Sequence, residues 1–119
     1  YSLHILRHSH SSFANVPNLR EAFDHPLYMN SLDAERLGME TGETVLITSN
    51  WGRCLRPVQV TEMMMPGVLA MGQGAWHDAD MAGDKIDRGG CINTLTAYKP
   101  SPFAKANPSH TNLVEVVKA

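Results

Sequence analysis

The densest chemistry in the sequence lies near its start. Arg7, Ser9, Ser11 and Ser12 place a cation and several hydroxyls on one short segment, the donor set that a pyrophosphate takes. His4, His8 and His10 are interleaved with them, and on a strand His8 and His10 would share a face. Such a group could hydrogen-bond a ligand or, with His4, hold a metal ion such as zinc. Further along, Asn93, Asn107 and Asn112 each carry donor and acceptor on one amide, which suits the edge of a heterocyclic ring. Gly72, Gly74, Gly89 and Gly90 allow backbone to approach a ligand closely, and Trp76 could cover a ring by stacking.

Much of this chemistry sits in one polar stretch, residues 87–112 (DRGGCINTLTAYKPSPFAKANPSHTN). It has no sustained helical or strand period, and loops beyond about 12–15 residues usually mean function or disorder. Few charges and the retained Ile92, Leu95 and Phe103 argue for an ordered loop. A loop of this composition suits holding a polar ligand with main-chain groups.

The 119 residues suffice for one domain with one core. Hydrophobic content is 43% and charged content 18%, values of a globular fold. Ten Lys and Arg against twelve Asp and Glu give 10 − 12 = −2, so there is no basic footprint for nucleic acid. No apolar run approaches the ~18 residues of a membrane span, which argues against direct insertion, and no signal peptide is visible. The chain begins at Tyr1 with no initiator Met, and the expectation is a fragment of a larger chain or a processed one. Cys54 and Cys91 form no Cys-x-x-Cys pair and read as free, partly buried thiols, with a single disulfide the alternative.

Short elements must position these residues. Leu3 and Ile5 suggest an opening strand. Residues 30–38 read as a helix, capped by Asn30 or Ser31 and ended by Gly38, with Leu32, Leu37 and Met39 packing inward. Residues 44–48 and 53–60 read as a hairpin across the Asn50-Trp51-Gly52 turn. Pro57 places its second strand at an edge or a kink. Met63, Met64 and Met65 read as core, residues 68–71 as a third strand, and the valines of 113–117 as a closing strand. Glu35 and Arg36 read as a solvated helix face, Arg53 and Arg56 as surface residues that could alternatively bind anions, and His25 and His77 as ordinary ones. Short strands, one clear helix and long loops predict a small mostly-β barrel.

Taken in order, the pieces resemble the C-terminal cofactor-binding domain of the dimethyl sulfoxide reductase family of molybdopterin oxidoreductases. They are His10-Ser11-Ser12-Phe13-Ala14-Asn15, Met29-Asn30-Ser31-Leu32-Asp33-Ala34, Leu37-Gly38-Met39, Gly42-Glu43, Asn50-Trp51-Gly52 and Pro66-Gly67-Val68. Gly72-Gln73-Gly74-Ala75-Trp76, Asp87-Arg88-Gly89-Gly90-Cys91-Ile92-Asn93, Pro100-Ser101-Pro102 and Asn107-Pro108-Ser109-His110-Thr111-Asn112-Leu113-Val114 follow. Together they cover nearly the whole chain. The resemblance implies a mostly-β fold, a six-stranded double-psi β-barrel with short helices and long loops over residues 1–119. It implies binding of molybdenum bis(molybdopterin guanine dinucleotide), held only with the rest of the parent chain of an S-oxide or N-oxide oxidoreductase. The implied contacts are Arg7, His8, Ser9, His10, Ser11, Ser12, Trp76, Gly90, Asn93, Thr94, Thr96, Asn107, His110, Thr111 and Asn112. Relatives commonly carry an arginine two residues before His-Ser; here His8 stands there and Arg7 one earlier. Cys91 is structural on this reading, because the family's metal ligand, where the protein provides one, lies elsewhere.

The partners implied are the parent's remaining domains, an iron–sulfur subunit and a membrane anchor. The location implied is the periplasmic face of a bacterial membrane, or alternatively the cytoplasm. The isolated domain is expected to be inactive. No Ser-His-acid elbow or Walker loop is present. The rival from another class is a stand-alone barrel that serves as a structural or interaction module, because small barrels host unrelated functions.

Overall fold

The chain's most regular stretch, Thr-Val-Leu-Ile-Thr at 44–48, is a strand in the computed structural model, which describes residues 2–3, 13 and 15–119. The strands are β1 Ser2–Leu3, β2 Leu27–Met29, β3 Thr44–Thr48, β4 Arg53–Val60, β5 Ala70–Gly72, β6 Ile86–Asp87 and β7 Glu115–Lys118. The helices are α1 Pro17–Ala22 and α2 Ser31–Leu37, and a single 3-10 turn spans Ile92–Leu95.

β3 and β4 pair antiparallel, from Thr44 opposite Pro57 to Thr48 opposite Arg53. The Ser49 amide closes the hairpin on Gly52 O at 2.9 Å, and Ser49 Oγ accepts the Trp51 amide at 3.1 Å. Val45 and Ile47 alternate into the core, where they meet Cys54 and Val58 from β4, Leu27 and Met29 from β2, Met71 and Leu95. The polar or half-buried faces of the same strands point the other way, as the two-residue period requires.

The strand order is β1-β5-β2-β4-β3-β7, with β6 paired to β4 off this path. β2 runs parallel to β4 and antiparallel to β5, and β1 runs parallel to β5. The result is a mostly-strand mixed sheet with short helices. Among the described residues the ladder is open, because no pairing joins β1 to β7. The closed six-stranded barrel of the sequence reading is therefore not reproduced by this pairing.

β4 is not an edge strand. β3 lies along one side, while β6 pairs with Arg53 and Cys54 and β2 pairs with Val58 to Val60 on the other. Pro57 is tolerated because residues 55–57 fall between those two partners, where no ladder needs the missing N–H.

α2 forms as its sequence dictates. Asn30 has extended backbone and its Oδ1 accepts the Leu32 amide at 2.9 Å, Asp33 stands in the first turn and Arg36 in the last. Gly38 ends the helix in the left-handed region at φ 67°, which only glycine enters without strain. Its inward face differs from expectation. Ala34 and Met39 are buried, whereas Leu32 is 61% exposed. The methionine run is also outside the core, with Met63 92% exposed. The reason is local. Asn30 Nδ2 donates to Met64 O at 2.6 Å and the Gly67 amide donates to Asp33 Oδ2 at 2.5 Å. The loop is thus pinned to the start of α2 by its backbone, and its flanking side chains point out.

Asn30→Ala removes both the cap and the tether to Met64. A loss of about 1 kcal/mol is expected from the cap alone, and more with the tether, read as a lower urea midpoint at unchanged slope.

Candidate functional site

Three loops meet at the end of β5, β6 and β1. β5 ends at Gly72, next to Leu3 of β1 in parallel register, and the Gln73 amide donates to Leu3 O at 2.8 Å. Gln73 Nε2 donates to Ser2 Oγ at 3.0 Å, and Ser2 Oγ lies 2.9 Å from His110 Nδ1. The 3-10 turn brings Ile92 and Asn93 alongside, and Thr96 Oγ1 donates back to Ile92 O at 3.1 Å. Asn112 Nδ2 then ties the C-terminal loop to this turn, donating to Thr96 Oγ1 at 3.2 Å and to Ser109 O at 3.1 Å.

Between these loops lies a pocket of about 270 Å³ whose lining includes Ser2, Gln73, Trp76, Asn93, Thr96 and Ser109. It offers carboxamides, hydroxyls and one indole face, with Trp76 52% exposed. Such a set reads donor and acceptor edges of a ring system and covers its face. The volume lies just under the ~300–1,000 Å³ typical of small-molecule sites, room for one ring system of a larger ligand.

The expected residues divide as follows. Trp76, Asn93 and Thr96 line the pocket, and His110 and Asn112 are hydrogen-bonded to its wall. Thr94 turns away, donating its hydroxyl to Asp87 Oδ2 at 3.2 Å. Gly90 is buried on the far side against Arg56 and His25. Asn107 accepts the Lys99 amide at 3.0 Å, closing the loop between them. Thr111 faces a separate, mainly apolar cavity of about 520 Å³ with His110, Asn112 and Leu113. Arg7, His8, Ser9, His10, Ser11 and Ser12 lie outside the described residues, as does His4 of the zinc alternative. Among the described residues no group of His, Cys, Asp and Glu could hold a metal ion.

The loop from Asp87 to Cys91 spends its backbone internally. Asp87, fully buried, accepts the amides of Asp78, Gly89 and Cys91 as well as the Thr94 hydroxyl. Arg56 Nη1 donates to Gly89 O at 3.1 Å and to Arg88 O at 3.4 Å, and His25 Nε2 lies 2.9 Å from Gly90 O. Gly89 is required here because a Cβ would stand 2.0 Å from Trp76 O. So these glycines serve close packing of protein on protein. Sequence reasoning took Arg56 for a surface residue and His25 for an ordinary one, and it assigned Asp87 no role. Gln73, Ser2 and Ser109 were missed as pocket residues, although Gln73 stands inside a quoted motif.

A larger cleft of about 740 Å³ lies across the Trp76 wall, with Arg20, His25, Arg56, His77 and Arg88 around it. Trp76 is its one residue from the expected set. Two of its guanidiniums already have partners: Arg88 grips Asp84 at 2.6 and 3.2 Å, and Arg56 holds the loop carbonyls. Cys54 and Cys91 are both free thiols. Burial, then the nearby Asp87 charge, push Cys54 up to about 12, so it stays a protonated, inert thiol.

A small mixed-sheet domain with a polar, ring-sized pocket between loops is what the geometry defines. The family model "Molydopterin dinucleotide binding domain" matches residues 1–113, and the chain belongs to that family. The dimethyl sulfoxide reductase DmsA of Escherichia coli is 48% identical over 109 residues, 92% of this chain and 13% of that protein. DmsA of Haemophilus influenzae is 41% identical over 113 residues, 95% of this chain and 14% of that protein. The chain therefore spans 13–14% of the length of these two relatives. Among solved structures, acetylene hydratase from Pelobacter acetylenicus matches with a TM-score of 0.78 at 16% identity, over 100% of this chain and 18% of that one. At that identity the likeness speaks for the fold alone. Family membership implies the molybdenum bis(molybdopterin guanine dinucleotide) cofactor, and the pocket's carboxamides, hydroxyls and indole fit a pterin or guanine ring.

The Arg88 hydrogen bond, with the Ile86 amide second, holds Asp84 down at about 2 from an ordinary 3.8. Its stabilising effect is therefore present above pH 3.8 and is lost as pH falls through about 2. The carboxyl carbon of Asp84 is expected to titrate near 2 by NMR, and Arg88→Ala to return it toward 3.8.

Proposed function

We propose that this chain is the C-terminal domain of a larger molybdenum oxidoreductase, where it closes over one part of the bis(molybdopterin guanine dinucleotide) cofactor. The carrying observation is the convergence of Trp76 and Asn93, from separate motifs, with Thr96 on one pocket completed by Gln73, Ser2 and Ser109. Trp76 covers a ring face, Asn93 and Gln73 pair with ring edges, and the hydroxyls of Thr96 and Ser109 take the remaining polar atoms. Gly90, Thr94, Asn107, His110, Thr111 and Asn112 support the loops that carry these contacts. Arg7 with Ser9, Ser11 and Ser12 holds pyrophosphate, beside His8 and His10.

The bound molybdenum centre supplies the two-electron reduction of an S-oxide, or of an N-oxide of the same class. The dimethyl sulfoxide reductase relatives favour that substrate class. The protein's part is to bind, orient and exclude water. The domain alone carries no redox activity. The domain packs against the rest of the parent chain. An iron–sulfur subunit and a membrane anchor complete the assembly, on the periplasmic face of a bacterial membrane. The full fold is a double-psi barrel. The mixed pairing of β2, parallel to β4 and antiparallel to β5, supports that reading.

The test uses the full parent chain, purified with its cofactor. Trp76→Ala is expected to weaken retention by about 1–3 kcal/mol if the indole stacks on a ring, and Asn93→Ala by about 1 kcal/mol for lost hydrogen bonds. Guanine nucleotide and molybdenum per chain are measured after dilution. Full retention by both variants would sink the assignment.

A further inference from the structure

We infer that Asp87 is a positioning residue, a buried carboxylate that sets the two walls of the pocket before any ligand arrives. This rests on the proposed dinucleotide site and deepens it.

Asp87 is fully buried at the end of β6, where it stands opposite Cys54 of β4. No Lys, Arg or His forms an ion pair with it among the described residues. Both its oxygens accept, each from two donors. Oδ1 takes the amides of Asp78 and Gly89, both at 2.9 Å. Oδ2 takes the Cys91 amide at 2.7 Å and the Thr94 hydroxyl at 3.2 Å.

Cys91 lines the pocket itself, while Asp78 and Thr94 belong to the segments that carry its two walls. Asp78 follows Trp76, and the Arg88 amide donates to Asp78 O at 2.8 Å, so the indole-bearing segment is laced to the Asp87 loop. Cys91 and Thr94 bracket Ile92 and Asn93, so the carboxamide-bearing 3-10 turn hangs from the other oxygen. One carboxylate thereby fixes the spacing between the indole and the Asn93 amide. Arg56 and His25 brace the same loop from outside through the carbonyls of residues 88–90. An uncharged core residue would avoid the desolvation cost of a buried carboxylate, but it could not gather four donors from two segments at one point.

Asp87→Asn keeps the volume but turns one oxygen into an amide nitrogen that faces two donors. It therefore cuts one wall loose and leaves the other attached. Val45→Ala, in the core on β3, serves as a control for general destabilisation.

In the cofactor-free parent chain, hydrogen exchange over residues 76–96 is expected to speed at least tenfold in Asp87→Asn, with residues 44–60 unchanged. In the loaded chain, release of guanine dinucleotide is expected to speed at least tenfold, while Val45→Ala compared at equal distance below its Tm changes it less than twofold. Release from Asp87→Asn at the wild-type rate would overturn the inference. So would equal acceleration in Val45→Ala, or faster exchange spread evenly over the chain, because either marks a purely structural role. A wild-type parent that holds no guanine dinucleotide would remove the proposed site itself, and this role with it. Normal retention in the wild type with an unaffected Asp87→Asn would remove this role alone.

Discussion

The structure depends on how one strand divides its neighbours. β4 gives one side wholly to β3 and splits the other between β6 and β2. The split forces the chain that carries β6 to enter the sheet beside the hairpin's turn end. That places Asp87 against Cys54, in a core layer that also holds Ile47 and Val58. From this entry point the loop has no further strand to follow. Its backbone groups must find partners among side chains, since unpaired buried groups cost about 1–3 kcal/mol each.

The solution is a loop held by ionisable groups of both kinds. Asp87 collects amides, while Arg56 and His25 collect carbonyls. Four hydrogen bonds to a charged group, at about 1.5–3 kcal/mol each, are of the size needed to offset the several kcal/mol that burying a carboxylate costs. The glycines follow from the same packing. At Gly52 a Cβ would stand 2.5 Å from Thr94 O, so the hairpin turn and the 3-10 turn can touch only because one of them lacks a side chain. A loop so completely self-bonded has few main-chain groups left for a ligand. On the proposed function, recognition passes to the side chains of Trp76, Asn93, Gln73 and Thr96.

Much of the frame was legible in the sequence, and for local reasons. Asn30 and Gly38 mark the two ends of α2 through cap chemistry that needs no tertiary context, and the period of residues 44–60 writes the hairpin. The errors came where a distant contact decided. Pro57 reads as an edge signal until β6 and β2 are seen to leave a gap beside it. Leu32 and Met63 read as core until Asn30 and Asp33 are seen to pin the methionine loop by its backbone. The candidate site was readable in part. Trp76 and Asn93 follow from chemistry and motif order and Thr96 from the family resemblance, while Gln73 and Ser2 join them only through the β1–β5 register. Asp87, Arg56 and His25 carry charge or polarity that sequence assigns to the surface, and only burial reveals them as the braces of the loop.

The size of the pocket bears on what such a domain can do. About 270 Å³ holds one ring system, whereas a cofactor of two dinucleotides around a metal carries several rings and two pyrophosphates. On the proposed function, this chain supplies one wall of such a site and one or two ring contacts. A wall serves best when it is rigid, because each side chain that must be ordered on binding costs about 0.5–1.5 kcal/mol. Here the ordering is done at folding, by a buried carboxylate and the two braces behind it. That arrangement suits the proposed function, closure over a ligand gripped mainly by other parts of a larger protein: the contacts are few, so their placement in advance has to be good.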